Sequence, residues 1–230
     1  MLVAIEGIDG AGKHTQTELL KQKAEAAGLR VGVLSFPRYG ETVMARSVAD
    51  YLNGKFGAID ALPPHFPALL YAGDRFESRD VIRRLLATSD VLLIDRYVAS
   101  NLAHQAAKVP AEERDAFIAW LTQVEHGVYG LPHPDVTVYL DVPVAVAASL
   151  IAKKKPRTYT DAAADLHERD LDYLAACRDA YRLLARRDHG NPWITVDCVD
   201  AQEALRDPQA IHADVWDALH GLLRPQAASR

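Results

Sequence analysis

Cysteine is nearly absent: the 230 residues contain two, Cys177 and Cys198. They form neither a disulfide framework nor a metal-ligand spacing, so a reducing compartment is expected. No run of about 18 apolar residues occurs, which argues against a membrane-spanning helix. The opening MLVAIEGIDG places Glu6 and Asp9 where a signal peptide needs an unbroken apolar core, so a cytoplasmic location is expected. Basic residues are not in excess, with 26 Lys and Arg against 31 Asp and Glu. That balance disfavours a nucleic-acid partner but leaves room for a local anion pocket. Gly/Ser-rich linkers and internal repeats are also missing, so residues 1–230 read as one domain. A composition of 49% hydrophobic and 25% charged residues suits a single α/β domain with a sizeable core.

The apolar residues come in short runs. LVAI (2–5), RVGVLSF (30–36), DVLLID (90–95), DVTVYLD (135–141) and PWITVD (192–197) read as strands. Several are almost continuously apolar, as parallel strands covered on both faces should be. Helical patterns lie between them, over 15–27, 41–52, 67–87, 98–108, 111–126, 143–154, 164–187 and 201–222. This alternation predicts an α/β fold with a five-stranded parallel sheet and right-handed crossovers. The tail 224–230 is expected to be disordered.

GIDGAGKHT (7–15) meets the phosphate-loop pattern at Gly7, Gly12 and Lys13. Three fixed residues match by chance about once per 3,000 positions. The loop also follows the first strand and opens the first helix, the context that gives the motif meaning. Backbone N–H groups of such a turn, from Gly7 through Gly10, Ala11 and Gly12, converge on phosphate oxygens, and Lys13 adds positive charge. The next position normally carries a Ser or Thr hydroxyl for Mg²⁺. Here it is His14, followed by Thr15. Imidazole is a poor Mg²⁺ ligand, so other oxygens must hold the ion, or Thr15 substitutes, or catalysis is lost.

VLLIDRYVASN (91–101) is an apolar strand ending in Asp95-Arg96-Tyr97. Ligands of open parallel sheets sit beyond the carboxyl ends of strands. Asp95 then stands where an acid binds Mg²⁺ through water, and Arg96 where a guanidinium clamps phosphate. SFPRYGE (35–41) brings Phe36, Arg38 and Tyr39 to the same rim. In LLYAGDRFESRD (69–80), Tyr71 and Arg75 share a helix face at i and i+4, so they can stack on a base and bond its carbonyl. KKKPRTYTDAAADLHERD (153–170) opens on a cluster of cations including Arg157 and continues to Asp165 and Glu168, at i and i+3. A solvated charge run is the plainer reading. A lid over about 153–165 that closes on a transferring phosphoryl group is the functional one.

Taken in order, IEGIDGAGK, FPRYG, DR, DRYVASN and ERD resemble the thymidylate kinases, P-loop nucleoside monophosphate kinases, over essentially the whole chain. The resemblance implies transfer of the γ-phosphoryl group of ATP to dTMP, with Mg²⁺ as cofactor, in a homodimer. ATP is assigned to Gly7, Gly10, Ala11, Gly12, Lys13, His14 and Thr15. Asp9 approaches the sugar 3′-hydroxyl and the metal, and Arg38 and Arg96 grip the acceptor phosphate. Phe36 and Tyr71 flank the thymine, Arg75 bonds a base carbonyl, and Ser100 and Asn101 read the base edge. Tyr39, His104 and Asp165 complete the acceptor site, with His104 where family members often carry Tyr against the sugar. Lys13 and Arg157 serve the transition state with Asp9 and Arg96. The metal set is Asp9, Asp95 and Glu168. Two other readings stay open: a deoxynucleoside kinase, whose acceptor carries no phosphate for the two arginines, and a catalytically inactive nucleotide-binding module. A GTPase is disfavoured, since no N-K-x-D guanine-reading motif occurs.

Overall fold

The computed structural model describes residues 1–58, 61–153, 171–187 and 190–223. Five parallel strands form one sheet in the order β2-β3-β1-β4-β5. They are β1 (Leu2–Glu6), β2 (Val31–Ser35), β3 (Val91–Asp95), β4 (Val136–Asp141) and β5 (Trp193–Asp197). Every residue of β1, β3 and β4 is buried, while the edge strands β2 and β5 are mostly partly exposed. This is why the central runs are mostly apolar: helices cover both faces, and a buried polar side chain there must find partners inside.

Among the described residues the helices are α1 (Lys13–Ala26), α2 (Val43–Leu52), α3 (His65–Glu77), α4 (Arg79–Thr88), α5 (Val98–Ala106), α6 (Arg114–Thr122), α7 (Val144–Ala152), α8 (Leu171–Ala185) and α9 (Pro208–Leu219). None is long and apolar enough to cross a membrane. Three differ from the sequence reading. The stretch expected as one helix over 67–87 is two, broken at Ser78, whose hydroxyl donates to the Asp74 carbonyl at 2.8 Å. The helix expected over 111–126 begins as a 3₁₀ turn, runs as α6, and ends in a π-helical turn, Gln123–Val128. The last helix starts at Pro208, not 201. The Asp207 carboxylate caps it, and the preceding residues are tied into a turn by a bridge between Val199 and Leu205.

The lid at about 153–165 and the tail 224–230 lie, apart from Lys153, outside the described residues. The same holds for Arg157, Asp165 and Glu168.

Strand register positions the site. β1 and β3 are neighbours, with Ile5 beside Asp95. The phosphate-loop motif and the Asp95-Arg96-Tyr97 turn therefore leave the sheet side by side at its carboxyl edge, where open α/β sheets bind ligands.

Candidate active site

The loop after β1 takes three glycines into positive φ: Gly7 at 148°, Gly10 at 84° and Gly12 at 82°. Gly12 is the N-cap of α1, and no side chain caps that end. The first amides of α1 are thus left for an anion, with the helix dipole favouring negative charge. Lys13 is buried, and its Nζ donates to the carbonyls of Gly7 and Ile8 at 2.8 and 2.9 Å. The ammonium lies across the loop that would cradle the phosphates. Ala11 is buried, whereas His14 and Thr15 are exposed.

Arg96 adopts φ 65° immediately after β3, which turns its side chain back over the loop. Its guanidinium pairs with the Asp9 carboxylate. Burial opposes the charge on Arg96, but Asp9 and neighbouring acids outweigh it and raise its pKa above the ordinary arginine value. Asp95 is buried, and its Oδ1 has no hydrogen-bond partner among the described residues. An oxygen in that state fits a metal-bound water better than a structural contact.

One cavity opens beside this pair. Its lining unites Asp9 and Arg96 with Phe36, Tyr39, Tyr71, Arg75, Ser100, Asn101 and His104. The resemblance had assigned these residues, from segments up to 95 positions apart, to the acceptor site. Their engagements differ. Arg75 is buried and paired with Glu125. Its guanidinium carbon lies 5.9 Å from the centre of the Phe36 ring. The Ser100 hydroxyl donates to Glu6 at 2.6 Å, and Asn101 donates to Ala68 and Glu125. His104 packs edge-on to Tyr181 and lies within 3.3 Å of the Tyr173 hydroxyl through Nδ1. Arg38 stands apart: its guanidinium reaches Ser78 at 3.0 Å and pairs with Glu41, and it does not line the cavity.

A family model for thymidylate kinase matches residues 5–207 of the chain. The thymidylate kinase of Mycobacterium tuberculosis is 39% identical over 199 residues, spanning 85% of this chain and 91% of that one. The chain belongs to the thymidylate kinase family. Another member, from Thermomicrobium roseum, is 33% identical over 218 residues, covering 94% of this chain and 95% of the relative. The human thymidylate kinase is 33% identical over 147 residues, or 64% and 63% of the two chains. A thymidylate kinase structure from Candida albicans superposes with a TM-score of 0.70 at 21% identity, over 96% of this chain and 91% of that chain. That likeness bears on the fold, which it shares.

Several residues around this candidate site were not singled out from the sequence. Glu6 is fully buried in an otherwise apolar strand, accepting from the Tyr97 amide at 2.8 Å, Ser100 at 2.6 Å and Tyr181 at 3.1 Å. Burial raises its pKa despite those donors. The only hint of it was an acid inside an apolar run. Pro37, Leu52, Gln105 and Tyr173 also line the cavity, and Glu125 stands behind it. Glu125 had no signal at all, being one acid on a helical stretch.

Proposed function

We propose that this chain transfers the γ-phosphoryl group of ATP to dTMP, with Mg²⁺, and that the carboxyl edge of the sheet is where it does so. The carrying observation is the joint lining of one cavity by Asp9 and Arg96 from the phosphate-loop side and by Tyr71, Arg75 and Asn101 from α3 and α5. ATP phosphates rest on the amides of the loop and of α1, with Lys13 adding charge. Arg96 grips the acceptor phosphate, and Tyr71 and Arg75 hold the base. Phosphoryl transfer depends on positioning and charge neutralisation more than on covalent chemistry, and the site offers both. Asp9 positions the acceptor.

Asp95 suits an Mg²⁺ ligand through water because its Oδ1 is buried and has no partner among the described residues. Asp9 is the nearby second oxygen donor. When bound, the ion neutralises charge developing between the β- and γ-phosphates. His14 is exposed and need not ligate.

The exposed apolar side chains Val43, Met44, Leu69 and Phe76 on the packed pair α2 and α3 support assembly as a homodimer. Sedimentation velocity tests it, and a monomer at micromolar concentration refutes it.

The deciding experiment is ADP release with ATP, Mg²⁺ and a panel of acceptors: dTMP, dUMP, UMP, dCMP, dGMP and thymidine. Turnover with dTMP far above the rest supports the proposal. Turnover with thymidine alone replaces it with a nucleoside kinase, and no turnover despite ATP binding replaces it with an inactive nucleotide-binding module.

A further inference from the structure

Behind the cavity, one carboxylate holds two of the lining residues. Glu125 is fully buried on the π-helical turn 123–128. Its Oε2 accepts from Arg75 Nε at 2.8 Å, and its Oε1 is shared by Arg75 Nη2 and by Asn101 Nδ2, the latter at 2.8 Å. Asn101 Nδ2 also donates to the Ala68 carbonyl at 2.9 Å. Arg75 and Asn101 are themselves buried, at 2% and 3% exposure.

This arrangement fixes the polarity of the pocket. A side-chain amide can usually be turned over, exchanging its oxygen and nitrogen ends. Here it cannot, because the two groups facing one end, the Ala68 carbonyl and a carboxylate whose oxygens accept from Arg75, are both acceptors. That end must be the NH₂. The other end, Oδ1, is buried and has no partner among the described residues. Asn101 is therefore left with an acceptor to offer a ligand. Arg75 can only donate, and its Nη1 edge is not engaged by Glu125.

From this we infer that Glu125 is a positioning residue that sets base selectivity: by holding Arg75 as donor and Asn101 as acceptor, it selects a pyrimidine edge with a carbonyl beside an N–H. Thymine and uracil present O4 and N3–H. Cytosine presents an amino group and a bare ring nitrogen, which oppose both pocket groups. The inference rests on the proposed dTMP acceptor and adds a determinant that does not itself touch the base. Changing Glu125 to Gln puts an NH₂ among donors. The Asn101 amide is then pinned by the Ala68 carbonyl alone, so its orientation, and with it the discrimination against cytosine, weakens.

The test compares kcat and KM for dTMP and dCMP in the wild type, Glu125→Gln and Glu125→Asp, with folding checked by circular dichroism. For Glu125→Gln, KM for dTMP should rise by about tenfold, and the dTMP-to-dCMP ratio of kcat/KM should fall by about tenfold or more. In the same variant, kcat at saturating dTMP should stay within about threefold, because the chemistry lies at the other end of the site. Glu125→Asp keeps an acceptor-only group, so it should retain most of the wild-type ratio with a weaker KM. A folded Glu125→Gln that keeps the wild-type ratio overturns the inference. So does a Glu125→Asp that loses the ratio as completely as Glu125→Gln. Should Glu125→Gln not fold, Glu125→Asp decides: a raised KM for dTMP with kcat and the ratio preserved supports the inference, and an unchanged KM overturns it. A wild type that does not use dTMP overturns the acceptor assignment instead, and is recognised before any variant is made.

Discussion

Asp9 and Arg96 form an ion pair between the loop after β1 and the turn after β3, and both line the cavity. The pair exists because β1 and β3 are adjacent in the sheet, so their carboxyl ends release the two residues next to each other. Arg96 reaches it only by adopting left-handed backbone, which side chains other than glycine disfavour by about 1 kcal/mol or more. A strained residue that also carries the charge at the mouth of the site combines a functional benefit with a structural cost.

Replacing Arg96 separates these two contributions. Arg96→Ala and Arg96→Gly should both lower kcat/KM for dTMP by about 10²-fold or more, since the phosphate loses its guanidinium. Arg96→Gly should nonetheless be the more stable of the two, by about 1 kcal/mol, because glycine accepts this φ without a Cβ clash. Steady-state kinetics and urea melts of both variants check the pair of outcomes. Equal stability would show that the turn carries no strain.

The phosphate loop predicts an asymmetry between two of its glycines. A Cβ at Gly10 would lie 2.4 Å from the Ala147 carbonyl oxygen of α7, backbone that has little freedom to retreat. One at Gly12 meets nothing within 4 Å. Both have positive φ, so each alanine costs about 1 kcal/mol in backbone conformation. Gly10→Ala adds the clash and should lose several kcal/mol together with ATP binding. Gly12→Ala should fold with a small loss. Thermal unfolding with and without ATP distinguishes them.

Tyr71 tests the base subsite. Its ring lines the cavity from α3, half-buried. Stacking of a base on an aromatic ring contributes about 1–3 kcal/mol. Tyr71→Ala should then raise KM for dTMP by about tenfold to a hundredfold while leaving KM for ATP nearly unchanged, and Tyr71→Phe should resemble the wild type. A KM for dTMP unmoved in Tyr71→Ala would remove the ring from the base site.

Asp141, at the end of β4, predicts a pH dependence of stability. It accepts from Arg178 Nε at 2.7 Å and from Arg182 Nε at 2.9 Å. Burial pushes its pKa up, but the hydrogen bonds and charges of the two arginines outweigh that and lower it below the ordinary 3.8. A carboxylate with a depressed folded-state pKa stabilises fully above its unfolded value, and the contribution fades as pH falls through the folded one. Asp141→Asn should cost about 1–3 kcal/mol at pH 7. The gap between variant and wild type should hold down to about pH 5 and close below 3.8. Denaturant melts across that range measure it. A gap constant down to pH 3 would point to packing instead of charge.

Much of the site was legible because its signals are local. Phosphate binding needs glycines and a lysine at fixed spacing on a strand-to-helix turn, and residues 7–13 supply that in one stretch. Asp95 and Arg96 were placed by the same logic, as the polar end of an apolar run. Tyr71 and Arg75 followed from helical spacing. Arg38 has partners that a local reading does not supply. It belongs to the same rim segment as Phe36, yet its guanidinium is taken up by Glu41 and Ser78, the latter 40 positions away. Ser78 itself was read as helix interior, and it breaks the helix into α3 and α4.

The sequence by itself determined the five strands, their parallel arrangement and the anion-binding turn. Each follows from apolar periodicity or from backbone freedom within a few residues, and burial of the central strands leaves little choice. Tertiary structure alone decided which polar groups meet inside. Glu125 finds Arg75 at a separation of 50 residues and Asn101 at 24, and Glu6 finds Ser100 at 94 and Tyr181 at 175. A buried carboxylate must collect donors wherever the packed helices deliver them, because an unsatisfied charge in the interior is too costly to keep. Those partners are set by how α3, α5, α8 and the π-helical turn come together, and no spacing along the chain encodes that meeting.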